Sequence, residues 1–103
     1  MTYQCGFSTP SIEKKFRKAI TDIPSVKIQD KIMQVLERLQ DNPRPFGTKF
    51  FKQLKPPVEF QELTANYRIR IGDYRVLYDV DDKKKFIWLI ALRKRGEGTY
   101  KLL

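Results

Sequence analysis

The chain has no histidine and only one cysteine, Cys5, among its 103 residues. An internal disulfide is therefore impossible, and a zinc site would be short of its usual nitrogen and sulfur ligands. Cys5 reads most simply as a buried strand residue. The missing imidazole also removes the commonest general acid and base, so acid–base chemistry would fall to Lys, Tyr, Asp, Glu or an unusual Arg. No stretch approaches the ~20 apolar residues that cross a bilayer. Met1 to Phe7 carries no basic run followed by an apolar one, so the expected location is the cytoplasm. Nothing in the pattern marks a repeat, a low-complexity tract or a linker, and the length suits one compact domain over residues 1–103.

Positive charge, by contrast, is plentiful. Lys and Arg number 21 against 12 Asp and Glu, which gives a formal charge of +9. The excess is shared by both halves of the chain and is no detachable tail. Such a balance favours polyanionic partners, with phosphate first among them. Seven Phe, five Tyr and one Trp supply apolar surface for a core that needs no disulfide or structural metal.

The order of elements follows from spacing. Tyr3, Cys5 and Phe7 alternate as in a short strand with one face on a core. Thr9 offers a helix cap and Pro10 a first helical residue, and Ile12, Phe16, Ala19, Ile20 and Ile23 recur at helical spacing, which predicts a helix over about 10–22. Ser25 caps a second helix with an apolar stripe of Ile28, Ile32, Val35, Leu36 and Leu39, stopped by Asn42-Pro43. Prolines 43, 45, 56 and 57 and Gly47 predict irregular surface chain from Asn42 to Pro57, pinned by Phe46, Phe50, Phe51 and Leu54. From Val58 the pattern alternates; Val58 to Leu63 is either a short strand or the start of a longer one. Gly72-Asp73 separates two alternating runs and suits a type II′ hairpin turn. Phe86 to Leu92 is apolar enough for a central strand covered on both faces. The expected fold is α+β: an N-terminal strand, a two-helix hairpin, then a three- to four-stranded antiparallel sheet with helices on one face and the other face available.

A two-residue hairpin at Gly72-Asp73 sets Ile71 opposite Tyr74, Arg70 opposite Arg75, Ile69 opposite Val76 and Arg68 opposite Leu77. Tyr67, Ile69, Ile71, Tyr74, Val76 and Tyr78 then face the core, and Arg68, Arg70 and Arg75 gather on the other side. Like charges so placed repel, by about 1 kcal/mol at ~4 Å in water and about 4 where partly buried. A phosphate between them reverses the sign, because guanidinium binds phosphate through paired, charge-assisted hydrogen bonds. The bland alternative is a solvated face splayed apart or paired with Asp73, Asp79 or Glu62. Arg93-Lys94-Arg95 could reach the same face or merely solvate a strand end. Tyr100 is either a packing residue or a group that stacks on a base or gives a proton.

The run Tyr67-Arg68-Ile69-Arg70-Ile71-Gly72-Asp73-Tyr74-Arg75-Val76-Leu77-Tyr78 resembles the central signature of the RelE/ParE toxin superfamily. The helix pair, Asn42-Pro43-Arg44-Pro45, the basic segment and Tyr100 extend the likeness over nearly the whole chain. In its RelE-like branch this resemblance implies a toxin held by a cognate antitoxin. It also implies a ribosome-dependent, metal-independent endoribonuclease, without cofactor, that cuts mRNA and represses translation. By position it assigns Arg68 and Arg70 to activation of the attacking 2′-hydroxyl and Arg75 to the phosphate. It assigns Arg95 to a later catalytic arginine, Tyr100 to base stacking, and Arg93 and Lys94 to RNA binding. Where relatives have lysine, Arg68 and Arg70 are poor bases, since their pKa exceeds ~12. Where many place His, Lys94 stands nearby, so catalysis would rest on electrostatics. The other branch implies a ParE-like inhibitor of DNA gyrase without nuclease activity, and a third reading is an inactive relative that binds RNA or antitoxin.

Overall fold

The computed structural model describes residues 3–96. Its elements are β1 (Gln4–Gly6), α1 (Pro10–Thr21), α2 (Val26–Leu39), β2 (Phe51–Phe60), β3 (Leu63–Ile71), β4 (Tyr74–Asp81) and β5 (Phe86–Lys94). The α+β layout is the one expected. The sheet is wider, with five strands in the order β1-β5-β4-β3-β2, because the N-terminal strand joins it parallel to β5.

Both helices start where capping chemistry places them. The Ile12 amide donates to Thr9 Oγ1 at 3.1 Å and the Ile28 amide to Ser25 Oγ at 3.2 Å, each satisfying an otherwise orphaned donor. Their apolar stripes meet one face of the sheet. Phe16, Ile23, Ile32, Leu36 and Leu39 pack there on Ile69, Ile71, Val76, Tyr78, Ile87, Leu89 and Leu92. Tyr78, fully buried, donates its hydroxyl to the Pro43 carbonyl at 2.7 Å, and burial raises its pKa above the ordinary tyrosine value. Cys5 packs against this core from β1. Burial pushes its thiol up to about 11, which leaves it protonated and unreactive at neutral pH.

Two expectations need correction. The chain is irregular only as far as residue 50: β2 runs straight through Pro56 and Pro57. The prolines are tolerated because β2 is an edge strand and because the register with β3 shifts between Gln53 and Val58, where no ladder donor is required. The pinning is also uneven: the Phe51 ring stacks on Tyr67 at 5.7 Å and Phe46 meets Phe51 edge-on at 5.2 Å, while Phe46 and Phe50 stay exposed.

The second correction concerns the outer face of the sheet, the one away from the helices, which is only partly available. Leu54, Val58, Ala65, Leu77, Ile90 and Ala91 form a smaller apolar cluster, with Phe60 and Leu63 packed against it. The β2–β3 hairpin thus closes over part of that face. A register shift between Leu77 and Tyr78 accompanies this, leaving Ile90 as the extra residue on β5.

Candidate phosphate-binding face

The Gly72-Asp73 turn fixes the site. Gly72 takes φ 59°, as the first central residue of a type II′ turn must. The register that follows is the expected one: Ile71 opposite Tyr74, Arg70 opposite Arg75, Ile69 opposite Val76, Arg68 opposite Leu77. On the far side of β4, Arg75 lies opposite Arg93. Cross-strand partners share a face. Arg70, Arg75 and Arg93 therefore form one row on the outer face, about 10 Å from end to end across two strand spacings.

At this level the sheet is narrow. β1 pairs with β5 only at Phe86, Ile87 and Trp88, and β2 leaves β3 at Ile69, with one more bond from the Arg70 amide to the Phe50 carbonyl. The row spans three strands and ends at a free edge on each side. Arg68 stands one step along β3 on the same face, between Lys52 on β2 and Leu77 on β4. Lys52 escaped the sequence reading because the prolines hid its strand. Had 51–60 been read as extended, its place beside Arg68 would have followed.

The row has few internal partners. The Nε atoms of Arg75 and Arg93 are buried without a hydrogen-bond acceptor. The described residues contain ion pairs Arg17–Glu13, Lys18–Asp22 and Arg44–Asp82, and none of these reaches Arg70, Arg75 or Arg93. Of the carboxylates that the bland alternative offered as partners, Asp79 accepts from Asn66 Nδ2 at 2.9 Å. Arg70 and Arg93 each lie over an aromatic ring, Phe50 at 5.8 Å and Phe60 at 4.6 Å. A row of guanidinium groups can take an oxyanion through several charge-assisted hydrogen bonds at once.

The remaining sequence-predicted residues divide. Strand alternation sends Lys94 to the helix side opposite Tyr74, so it does not join the row. Arg95 follows β5 in a turn whose amide donates to the Asp73 carbonyl, which sets its backbone beside the hairpin turn. Tyr100 lies outside the described residues. Arg44, which the sequence offered only as part of a motif, forms a separate clamp. It donates to both carboxylate oxygens of Asp82 at 3.1 and 3.0 Å and to the Tyr67 hydroxyl at 2.8 Å, and Tyr3 donates to Asp82 at 2.6 Å. These bonds, Arg44 first and Tyr3 second, hold the Asp82 carboxyl below its usual range, and Asp82 in turn raises Arg44.

A small α+β domain with a guanidinium-bearing face on an antiparallel hairpin defines a class, that of the RelE/ParE-type toxin domains. The sequence profile described as the ParE toxin of type II toxin-antitoxin system, parDE, matches residues 8–98. The chain belongs to that family, within the RelE/ParE superfamily of type II toxins. Curated protein sequences give no significant match. Among solved structures, the archaeal RelE–RelB complex from Pyrococcus horikoshii is similar at 28% identity and TM-score 0.68, covering 94% of this chain and 99% of that one. The RelBE2 toxin–antitoxin complex from Mycobacterium tuberculosis is similar at 22% identity and TM-score 0.61, covering 92% and 100%. The intact RelBE complex from E. coli, at 15% identity and TM-score 0.52 over 92% and 98%, shares the fold. No described helix is long and apolar enough to cross a membrane.

Proposed function

We propose that this toxin is an mRNA endoribonuclease of the RelE-like kind, working on RNA engaged with the ribosome in the cytoplasm and held inactive by a cognate antitoxin. The observation that carries this reading is the row of Arg70, Arg75 and Arg93, with the buried Nε atoms of two of them unsatisfied. That arrangement is costly in an empty surface and favourable around a phosphodiester. The solved relative at 28% identity is a RelE toxin bound to RelB, which supports both the branch and the antitoxin partner.

In this reaction the 2′-hydroxyl oxygen forms a bond to the neighbouring phosphorus as the bond from phosphorus to the 5′ oxygen breaks. The products are a 2′,3′-cyclic phosphate and a 5′-hydroxyl. Charge accumulates on the non-bridging oxygens, and Arg75, at the centre of the row, is placed to neutralise it with Arg70 and Arg93 on either side. Arg68 extends the cationic surface toward the adjoining backbone. None of these side chains takes the 2′-hydroxyl proton, because a guanidinium stays protonated. The proton passes to water, and water returns one to the departing oxygen.

Inducing the toxin should arrest growth and produce new mRNA 5′ ends within translated regions, mapped by primer extension, and Arg75→Ala should abolish both. Growth arrest with intact mRNAs would refute the nuclease reading. The match to the ParE profile favours one alternative, gyrase inhibition, and loss of supercoiling by purified gyrase on adding the toxin would establish it.

A further inference from the structure

Each end of the arginine row rests on an aromatic ring, and beside each ring the surface is hollow. At one end the Arg70 guanidinium lies over Phe50, which is 44% exposed. A recess of about 350 Å³ opens there between α2 and the free edge of β3, with Lys31, Arg38 and Arg70 on its wall and no carboxylate. At the other end the Arg93 guanidinium lies over Phe60. A recess of about 210 Å³ adjoins it along the free edge of β5, lined in part by Lys15, Gln61 and Arg93, again without a carboxylate.

Phe60 is carried to Arg93 by an unusual turn. Gln61 and Glu62, the two residues of the β2–β3 hairpin loop, both take left-handed backbone, φ 49° and 67°, where Gly and Asn are the residues at ease. Strain of this kind persists where surrounding packing fixes it. Here Phe60 and Leu63 are packed on the outer-face cluster, one on each side of the turn.

Arginines at the centre, aromatic rings at both ends, with Phe50 shared between Arg70 and Lys49, and cation-lined hollows beyond them match single-stranded nucleic acid, with backbone on arginine and bases on aromatic rings. The strand backbones that carry the two ends of the row are about 10 Å apart, two strand spacings, whereas stacked bases rise ~3.4 Å. Neighbouring bases reach both rings only if they are splayed out of their stack. We propose that Phe50 and Phe60 are base platforms, receiving the two nucleobases that flank the phosphate held by Arg75, each turned into the recess beside its ring. The inference rests on the RNA reading above and specifies how that site holds its substrate.

The test uses the full chain, alone and on ribosomes, titrated with a short 2′-O-methyl RNA that cannot be cut. A set of such RNAs carries one abasic residue at each position in turn. Phe50→Leu and Phe60→Leu should each weaken binding of the intact RNA about tenfold. The salt dependence should stay unchanged, because no phosphate contact is lost. Each variant should then lose nothing further on the RNA that is abasic at its own position, the non-additivity expected of partners in contact. Additive losses at every position, or wild-type affinity in both variants, overturn the inference while Arg75→Ala still reports on the RNA reading. Phe50 is exposed, so its variant decides the matter even if Phe60→Leu fails to fold. If Phe50→Leu spares RNA and instead weakens retention of an antitoxin, that recess is a peptide site and the proposal falls. An Arg75→Ala protein that keeps both affinity and salt dependence overturns the RNA reading and this inference together.

Discussion

The two faces of the sheet obey opposite rules. On the helix side, Ile32, Val76, Tyr78 and Ile87 are fully buried and the buried hydroxyl of Tyr78 has an acceptor. On the outer face, three arginines stand in one row and two of them keep buried donors unsatisfied. The same two strands, β3 and β4, supply both surfaces, because alternation sends successive side chains to opposite sides. At the level of the arginine row, stability is therefore concentrated on one face and electrostatic frustration on the other, whereas farther along the strands the Leu77 cluster stabilises the outer face as well.

The contrast is broken most severely from the helix side. Ile32→Ala should lower stability by about 2–5 kcal/mol through lost burial and the cavity left behind, read as a reduced urea midpoint with the slope unchanged. Tyr78→Phe tests a smaller element of the same face. It leaves the buried Pro43 carbonyl without its donor, and should cost about 1–3 kcal/mol. Neither change alters the charge of the outer face, so any loss of toxicity should track the unfolded fraction.

From the outer face the sign reverses. Arg75→Ala removes a like charge from between two others and a buried donor without an acceptor, and should leave stability unchanged or raise it by up to about 1 kcal/mol while toxicity is lost. Thermal unfolding beside a growth assay checks both halves. A fall in stability would mean the arginines hold the sheet together, and the division of labour between the faces would be wrong.

Much of this division was legible in the sequence. Gly72-Asp73 fixed a turn type, the turn fixed the register, and the register put Arg70 opposite Arg75 with the aromatic and aliphatic residues behind them. Helix caps at Thr9 and Ser25 were equally readable, since each is a local hydrogen bond between near neighbours. Features that depend on distant partners were not legible. Arg93 enters the row only through a β4–β5 register that includes a bulge at Ile90, and no turn chemistry announces it. The same bulge and register put Lys94 on the helix side, opposite Tyr74. Pro56 and Pro57 disguised β2 as loop, hiding Lys52 and the path by which Phe60 reaches Arg93. The Arg44–Asp82 clamp joins residues 38 positions apart that share no common sequence pattern.

That clamp allows the mildest test of the comparison, because it ties the loop after α2 to the β4–β5 turn at the rim, away from both faces. Asp82 is held below its usual pKa, chiefly by the Arg44 hydrogen bonds and secondarily by Tyr3. A carboxyl whose folded pKa is depressed contributes stability above its unfolded value of ~3.9, and that contribution disappears as pH falls through the folded value. Asp82→Asn should therefore be less stable than wild type at pH 7, and the two urea midpoints should converge once the pH has fallen through the depressed folded value, where the wild-type carboxyl takes up its proton. The effect should be the smallest of the four, since the Asp82 side chain is 58% exposed and its attraction to Arg44 is screened by solvent and salt. A gap that persists at low pH would show that something other than the carboxylate charge joins the loop to the turn. An unchanged midpoint at pH 7 would show that the rim adds nothing to the stability set by the helix-side face.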